Sequence, residues 1–315
     1  TSTRNNISEF APQLELLYNN SANMLSWSPK IYHYDRRFDF MSSENNLYFG
    51  KPIPAYKEGY RLFSASHLPE KITVFGMGKR TQDIYNADAL SEILGKTVIT
   101  RTFPEIVGRE IRRIHQVPLS FTNAEKDVYD LALKKFYEMQ HNYFSSTGNS
   151  RKDSMMKLIQ QITLLLRISA APNTVLEYKG ELPTKICRVV ELVRQFKNEI
   201  VAIGVRHKIV LDAYKAALET TFPDRTIFAV TGETTSFAQR RKLRKTLKDS
   251  GNGILLCTQQ SLPSSVNFEY VNKVIIPELH YNNAKMSQFY MRFVRYNSTE
   301  WKDIYFVTYG GSIES

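Results

Sequence analysis

Near the end of the chain, the stretch QFYMRFVR combines one glutamine and two arginines with a run of apolar residues. Gln288 precedes Arg292 by four positions and Arg295 by seven. Positions three apart share one face of a helix, so both guanidinium groups could reach a single anion. A guanidinium matches phosphate oxygens and stabilises charge that develops during phosphoryl transfer. The spacing alone also fits a solvated basic edge on a buried helix.

A complete phosphate-binding loop does not accompany these arginines. A Walker A loop has the pattern Gly-x-x-x-x-Gly-Lys-Ser/Thr, whose backbone N–H groups surround the phosphates. The stretch LGKT at 94–97 supplies its second half, but Leu90 stands where the first glycine belongs, and GMGKRT at 76–81 has the wrong spacing. Neither is followed by an acidic strand end that could hold magnesium. We therefore expect the chain to lack the part that grips nucleotide.

Composition and charge narrow the class of protein. The 315 residues are 42% hydrophobic and 12% aromatic, enough to bury the core of one large domain or two ordinary ones. The net charge is +11 and the pI is near 9.4. Such an excess favours a polyanionic partner, most commonly nucleic acid. The alternative is that the charge serves only solubility.

Membrane, secretory and metal-binding classes find no support in the sequence. No apolar run approaches the ~20 residues of a membrane span, and the first residues lack a secretion signal. Cys187 and Cys257 are too few for a disulfide framework and have no metal ligands at zinc-site spacing. We expect no metal site and a reducing, cytoplasm-like compartment.

Short apolar strands alternate with amphipathic helices from residue 184 onward. This alternation predicts a parallel α/β sheet with helices on both faces, in which ligands bind beyond the carboxyl ends of the strands. The stretches TGETTS and TQQSLPSSVN fall at such ends. The predicted helices cover 184–197, 208–221, 236–249 and 288–298, and the predicted strands cover 200–205, 226–232, 253–258, 273–278 and 303–309.

The first 180 residues have a different pattern. Helices are predicted at 8–18, 124–142 and 152–169, an extended strand at 109–120, and no steady period runs through 30–80. We predict a domain boundary near 180, between a mostly helical region, 1–180, and an α/β domain, 181–315.

Several stretches share motifs with one family. QFYMRFVR follows Q-x-x-G-R-x-x-R, with Met291 replacing the glycine. The stretch from Ile254 to Gln288 matches a second motif, and VTGETTSFAQRR matches a third at Gly232 and Arg240. In order, these resemble motifs VI, V and IVa of Swi/Snf-type superfamily-two helicases. The matching residues of motif V are Thr258, Asn267, Asn282, Ala284 and Gln288, with Glu278 for an aspartate, Tyr281 for a tryptophan, and Ser264 and Ser265 for glycines.

The front of the chain resembles the same family. TSTRNNISEFAPQLELL resembles motif III, with Ser2 for a proline and Asn5, Asn6 and Glu9 matching. Residues 94–129 and LLLRISAAPNTV resemble segments that follow it, and GYRLFSASHLPE is faintly similar to the annealing-helicase branch. The chain would then begin inside motif III, as the back portion of a longer ATPase whose first lobe lies elsewhere. The Asn/Tyr/Lys-rich style hints at a phage or bacterial origin.

The resemblance implies a RecA-like second lobe, preceded by a helical insertion region, that works with ATP and Mg²⁺ bound mainly by the first lobe. Arg292 and Arg295 would be arginine fingers. Nucleotide binding would also involve Gln288, Asn267 and Glu278. Implied contacts to the nucleic acid are Thr231, Gly232, Arg240, Thr258 and Arg206. Its partners would be double-stranded or branched DNA and the first lobe, with no membrane, in the cytoplasm or a eukaryotic nucleus.

Within the helix predicted at 236–249, the stretch QRRKLRKTLK at 239–248 has six basic residues in ten. Such a density suits contact with a nucleic-acid backbone and strong salt dependence. A solvated charged face is the alternative.

Three functions remain open from the sequence. The first is an ATP-driven DNA helicase or translocase, of which this chain alone should hydrolyse no ATP but still bind duplex DNA. The second is an ATPase-inactive nucleic-acid-binding or scaffolding module, which the replaced glycines favour and the intact arginine pair disfavours. The third is an unrelated α/β enzyme such as a nucleotide-sugar transferase, because the fold alone permits many activities.

Overall fold

The computed structural model describes residues 7–18, 28–35, 40–51, 59–72, 78–80, 84–99, 101–146, 148–232, 237–262, 267–280 and 283–314. The chain divides into two compact units, Thr1–Arg101 and Thr102–Ser315. Within the described ranges, no helix is long and apolar enough to cross a membrane.

The first unit combines short helices with two small hairpins. A 3-10 helix, Ile7–Phe10, leads into α1, so the helix predicted at 8–18 is confirmed. Leu14, Phe63 and Ile93 form the centre of its core. The helices are α1 (Ala11–Tyr18), α2 (Gly59–His67) and α3 (Ala87–Thr97), and the antiparallel hairpins pair β1 (Lys30–Asp35) with β2 (Phe40–Asn45) and β3 (Glu70–Ile72) with β4 (Gly78–Arg80).

The second unit is built on a six-stranded sheet in the order β5-β10-β9-β6-β8-β7, and every neighbouring pair is parallel. The predicted parallel α/β sheet is therefore confirmed, and its edge strand β5 is the extended segment predicted at 109–120. The strands are β5 (Arg112–Leu119), β6 (Val201–Val205), β7 (Ile227–Val230), β8 (Ile254–Thr258), β9 (Lys273–Ile276) and β10 (Lys302–Tyr309).

Helices cover both faces of this sheet. Alternate strand residues point to opposite faces, so Val201 and Ile203 pack with Tyr214, whereas Ala202 packs with Phe289 on the other face. The first face carries α7 and α8, and the second carries α9 and α10. The helices of this unit are α4 (Phe103–Val107), α5 (Asn123–Ser145), α6 (Gly148–Ala170), α7 (Thr184–Gln195), α8 (Lys208–Thr221), α9 (Phe237–Ser250) and α10 (Asn283–Tyr290).

Helices α5 and α6 pair through a small cluster that includes Val128 and Ile168, which confirms the helices predicted at 124–142 and 152–169. Glu125 ties this pair to the sheet. Its carboxylate accepts hydrogen bonds from Thr184 N at 2.6 Å and from Tyr309 Oη at 2.9 Å. It therefore helps satisfy the first N–H groups of α7, which have no partner inside the helix.

A buried ion pair fastens the segment that follows β10. Lys185 Nζ lies 2.6 Å from Glu314 Oε2, and both side chains are fully buried. Lys185 Nζ also donates to the Pro277 carbonyl at 3.1 Å. Removing one member would leave an uncompensated buried charge, which is strongly destabilising.

The helix predicted over 288–298 is wrong in extent, because α10 ends at Tyr290. Beyond that point Phe293 N donates to the Tyr290 carbonyl, three residues back, and the Arg292 carbonyl accepts from Phe268 N of another segment. A tertiary contact has replaced the next helical hydrogen bond. The predicted boundary near residue 180, between the region 1–180 and the α/β domain 181–315, stays a prediction. β5, which precedes it, pairs with β10.

Candidate functional site

Arg292 and Arg295 flank two buried residues in the segment after α10. Phe293 and Val294, 0% and 2% exposed, fix the backbone between them. The ring of Phe293 meets that of Phe289 at 5.5 Å between centroids. Ser298 fixes the segment on the other side of Arg295. Arg295 N donates to Ser298 Oγ at 3.1 Å, and Ser298 N donates to the Arg295 carbonyl at 2.8 Å. The two arginines thus sit on a rigid turn rather than on one helical face.

The two guanidinium groups influence each other despite the loss of the helix. Burial lowers the pKa of Arg292, and the positive charge of Arg295 lowers it further. Both side chains are half-buried. Among the described residues, Nε of Arg295 is buried and has no hydrogen-bond partner. Buried donors are nearly always satisfied, so this one is available to an incoming acceptor.

Gln288 and Asn267 lie on segments connected to this turn. Gln288 is half-buried on α10, one position before Phe289. Asn267 is exposed, and its carbonyl accepts a hydrogen bond from Arg244 Nε at 2.7 Å. Its neighbour Phe268 donates to the Arg292 carbonyl at 3.3 Å. The structure therefore places Asn267 next to the arginine turn by a backbone contact.

Glu278 lies at the carboxyl end of β9 and is fully buried. Its Oε2 accepts from Arg206 N at 2.6 Å and His207 N at 3.1 Å, and its Oε1 contacts His207 Nδ1. These contacts occupy the carboxylate, so in this conformation Glu278 positions the residues after β6 rather than facing a ligand. Arg206, predicted to contact nucleic acid, is held through its backbone by this carboxylate.

Gln259 and His280 belong to the same cluster, and neither was identified as a site residue from the sequence. Gln259 Nε2 donates to the carbonyls of Gly204 at 3.2 Å and Glu278 at 2.7 Å, which joins the ends of β6, β8 and β9. His280 is 5% exposed. Gln259 lies one residue after the predicted strand 253–258, and His280 lies two residues after the predicted strand 273–278. These positions were the only indication of a site in the sequence, because neither residue type identifies a site by itself.

Thr258 and Gly232 meet at the carboxyl ends of β8 and β7. The Thr258 hydroxyl bonds to that of Ser261, and both residues are buried. A side chain at Gly232 would lie 3.9 Å from Ser261 Oγ, so the two loops are neighbours. Thr231 is half-buried and Gly232 is exposed. This brings together three of the predicted nucleic-acid contacts, with backbone at Gly232 accessible.

The basic helix α9 presents only part of its charge to solvent. Arg244 forms an ion pair with Glu269 at 2.6 Å, which holds α9 against the loop before β9. Arg241, Lys242 and Lys245 are exposed. Arg240 belongs to α9, but its side chain lies outside the described part, as do residues 233–236, 263–266 and 281–282 of the motif stretches.

The fit of these residues to ATP and Mg²⁺ is partial. The unsatisfied Nε of Arg295 and the neighbouring Arg292 suit phosphate oxygens. Within the described ranges, no group of three or more His, Cys, Asp or Glu side chains could hold a metal ion. These residues fit the phosphate end of a nucleotide and not its metal.

Comparisons with known proteins concern the fold. No protein-family model and no curated protein matches the sequence. The Sulfolobus solfataricus SWI2/SNF2 ATPase core domain is similar, with a TM-score of 0.53 at 16% identity over 72% of this chain and 46% of that chain. The same core in complex with double-stranded DNA gives 0.50 at 15% identity over 71% and 47%. Its isolated C-terminal domain gives 0.48 at 15% identity over 64% and 80%.

The chain therefore has the RecA-like α/β fold seen in the Swi2/Snf2 ATPase core, and it spans less than half the length of the two cores compared. This fold is the one implied by the order of motifs in the sequence.

Proposed function

We propose that the chain is the C-terminal part of an ATP-dependent DNA translocase or helicase of the Swi/Snf type. In this proposal Arg292 and Arg295 reach the phosphates of ATP held by a first RecA-like lobe. The observation that carries the proposal is the buried, unsatisfied Nε of Arg295 beside a second guanidinium, on a fold shared with the Swi2/Snf2 core.

The arginine turn would supply positive charge where negative charge develops. ATP with Mg²⁺ would provide the transferable phosphoryl group. Arginine fingers contribute on the order of 10³–10⁵ in rate in well-studied phosphoryl-transfer enzymes. The buried Phe293 and Val294 hold the turn rigid, so little reorganisation is needed when the phosphates arrive. Gln288 and Asn267, on segments joined to the turn, would sense the same phosphates.

Duplex DNA is the proposed partner of a second set of residues, which lies at the carboxyl ends of β7 and β8. Thr231, Gly232 and Thr258 gather at strand ends, where backbone N–H groups can approach phosphates. Glu278 would position Arg206 for the same strand. The similar Sulfolobus core is described in complex with double-stranded DNA, which supports this choice. The proposed substrate is double-stranded or branched DNA. The proposed compartment is the cytoplasm, or the nucleus in a eukaryotic cell.

Kinetics with a first lobe test the arginine assignment. In a protein that joins this chain to its first lobe, Arg292→Ala and Arg295→Ala should each lower ATP turnover by about 10³ or more. Duplex-DNA affinity, measured by fluorescence anisotropy, should stay within a few-fold. The matched control is Arg194→Ala, because Arg194 is exposed on α7. Turnover unchanged by both finger substitutions would refute the assignment.

A second candidate is an ATPase-inactive nucleic-acid-binding or scaffolding module. Met291, which replaces the glycine of motif VI, packs against the core beside α10, so this segment departs from the family pattern. The same joined protein separates the two candidates. DNA binding with no measurable ATP turnover in the unsubstituted protein would favour the module.

A further inference from the structure

A groove runs between α5, α6 and the segment that follows α6, and the proposed function does not involve it. It encloses a cavity of about 280 Å³. Val128, Ala132 and Ile168 line its floor and belong to the cluster that packs α5 against α6. The groove is thus a surface of an already packed helix pair.

Exposed leucines form part of the rim. Leu131 of α5 is 45% exposed, and Leu176, after α6, is 98% exposed. A single exposed leucine needs no explanation. Here two of them lie on the rim of one cavity with an apolar floor, so an aliphatic side chain that entered the cavity would meet apolar contacts on its rim as well.

The ionisable side chains that line the groove carry a net positive charge. They are Arg167 and Lys135 together with one carboxylate, Glu177. Nε of Arg167 is buried and, in the part of the chain that the structure describes, has no hydrogen-bond partner. A guanidinium has donors and no acceptor. The group that would satisfy Arg167 is therefore an acceptor, and its charge favours a carboxylate.

The dimensions favour a side chain over a free ligand. Pockets for drug-sized ligands usually have about 300–1,000 Å³, and this cavity lies at the lower end of that range, with exposed leucines on its rim. We propose that the groove binds an acidic, aliphatic peptide segment of a partner protein. One aliphatic side chain would enter the cavity, and an adjacent Asp or Glu carboxylate would bind Arg167.

Labelled synthetic peptides of equal length, added to the full 315-residue chain, test the proposal by fluorescence anisotropy. The probes combine Leu with Glu, Ser with Glu, Leu with Ser, or Leu with Lys. The Leu/Glu peptide should bind most tightly. The Ser/Glu peptide has the same charge and measures nonspecific attraction to the net charge of +11.

Substitutions locate the binding. Arg167→Gln should weaken binding of the Leu/Glu peptide by about tenfold or more, as expected for loss of a buried charge contact. Leu176→Ser should also weaken it, and because Leu176 is almost fully exposed, this variant should fold normally. Lys135→Gln and Lys134→Gln form a matched pair, since only Lys135 lines the groove; Lys134→Gln should change nothing.

Four results would overturn the proposal. Equal binding of the Ser/Glu and Leu/Glu peptides would show general electrostatic attraction. Equal effects of Lys134→Gln and Lys135→Gln, or unchanged binding in Arg167→Gln, would place the contact elsewhere. Absence of binding by the Leu/Glu peptide would exclude the occupant. Far-UV circular dichroism checks that every variant is folded, and DNA affinity should be the same in all of them.

Discussion

The imidazole of His280 lies in a buried cluster with more positive than negative neighbours. Burial lowers its pKa most, and Arg206, Lys285 and His207 lower it further, while Glu278 opposes them, which leaves a pKa of about 4. The side chain is therefore neutral at pH 7. The same cluster fixes Arg206, so its charge state bears on a predicted DNA contact.

Acid should destabilise the protein partly through His280. The unfolded chain takes up this proton near pH 6.5 and the folded chain only near pH 4. The contribution of this group to stability is therefore constant above pH 6.5, and stability declines as the pH falls from 6.5 to 4. In His280→Asn, denaturant unfolding should show a shallower loss between pH 7 and pH 4.5. The exposed His141→Asn is the control, and equal pH slopes in the two variants would contradict the expectation.

Residue types near the arginine turn could be identified from the sequence, but their environments could not. The spacing of Gln288, Arg292 and Arg295 made them candidates only together with the order of the other motif stretches. The burial of Glu278 was not foreseeable, because its three hydrogen bonds come from residues 206 and 207. Those partners are brought close only by the pairing of β6 with β9.

At the scale of elements, β6 and α10 approach unusually closely at Gly204. A Cβ at this position would lie 2.3 Å from the ring of Phe289, which anchors α10 on the sheet. The absence of a side chain therefore sets the distance between strand and helix, and with it the start of the arginine turn.

Gly204→Ala should destabilise the second unit by about 1–3 kcal/mol, the usual cost of overpacking a well-packed core. Urea unfolding measures this effect. Gly310→Ala is the matched control, because the nearest atom to its added Cβ is the Leu119 carbonyl oxygen at 3.8 Å. Adding Phe289→Leu to Gly204→Ala should restore part of the loss, whereas strictly additive effects would argue against the steric explanation.

The strands β6 to β10 were predictable because each contains a short, continuous apolar run, whereas β5 has polar residues among its apolar ones. The helices α5 to α8 were predictable from their helical patterns of apolar residues, and α9 from its basic stretch between two predicted strands. The early end of α10 was not, since it depends on Phe268, a distant residue that bonds to the Arg292 carbonyl. The hairpin of β3 and β4 was missed because strands as short as Glu70–Ile72 hold too few residues to show a period.

For the whole molecule, the net charge of +11 can contribute to DNA binding only through basic side chains that are exposed and not held in ion pairs. On α9, Lys242 and Lys245 are exposed, whereas Arg244 holds Glu269. Basic residues that look alike in the sequence therefore differ in the fold, because some are exposed and others are held in ion pairs. The exposed lysines are the ones that could track a DNA backbone.

A salt titration of duplex-DNA binding distinguishes basic residues that contact the DNA from those that do not. Lys242→Gln and Lys245→Gln should each reduce the slope of log affinity against log salt by about 0.9, the value for one phosphate contact. Lys215→Gln on α8, which removes the pair with Glu219, should leave the slope unchanged. An unaltered slope in both α9 variants would exclude this helix from the DNA interface.

Strand β5 has a practical consequence for anyone who produces the α/β part by itself. It lies next to β10 along eight paired positions, Lys302↔Arg112 through Tyr309↔Leu119, although residues 120–301 separate the two in the chain. Expression from residue 181 would strip β10 of this neighbour and leave its backbone N–H and C=O groups open along an apolar strand. Open edges of that kind recruit other chains, so the shortened product should aggregate, and expression from residue 102 should avoid this.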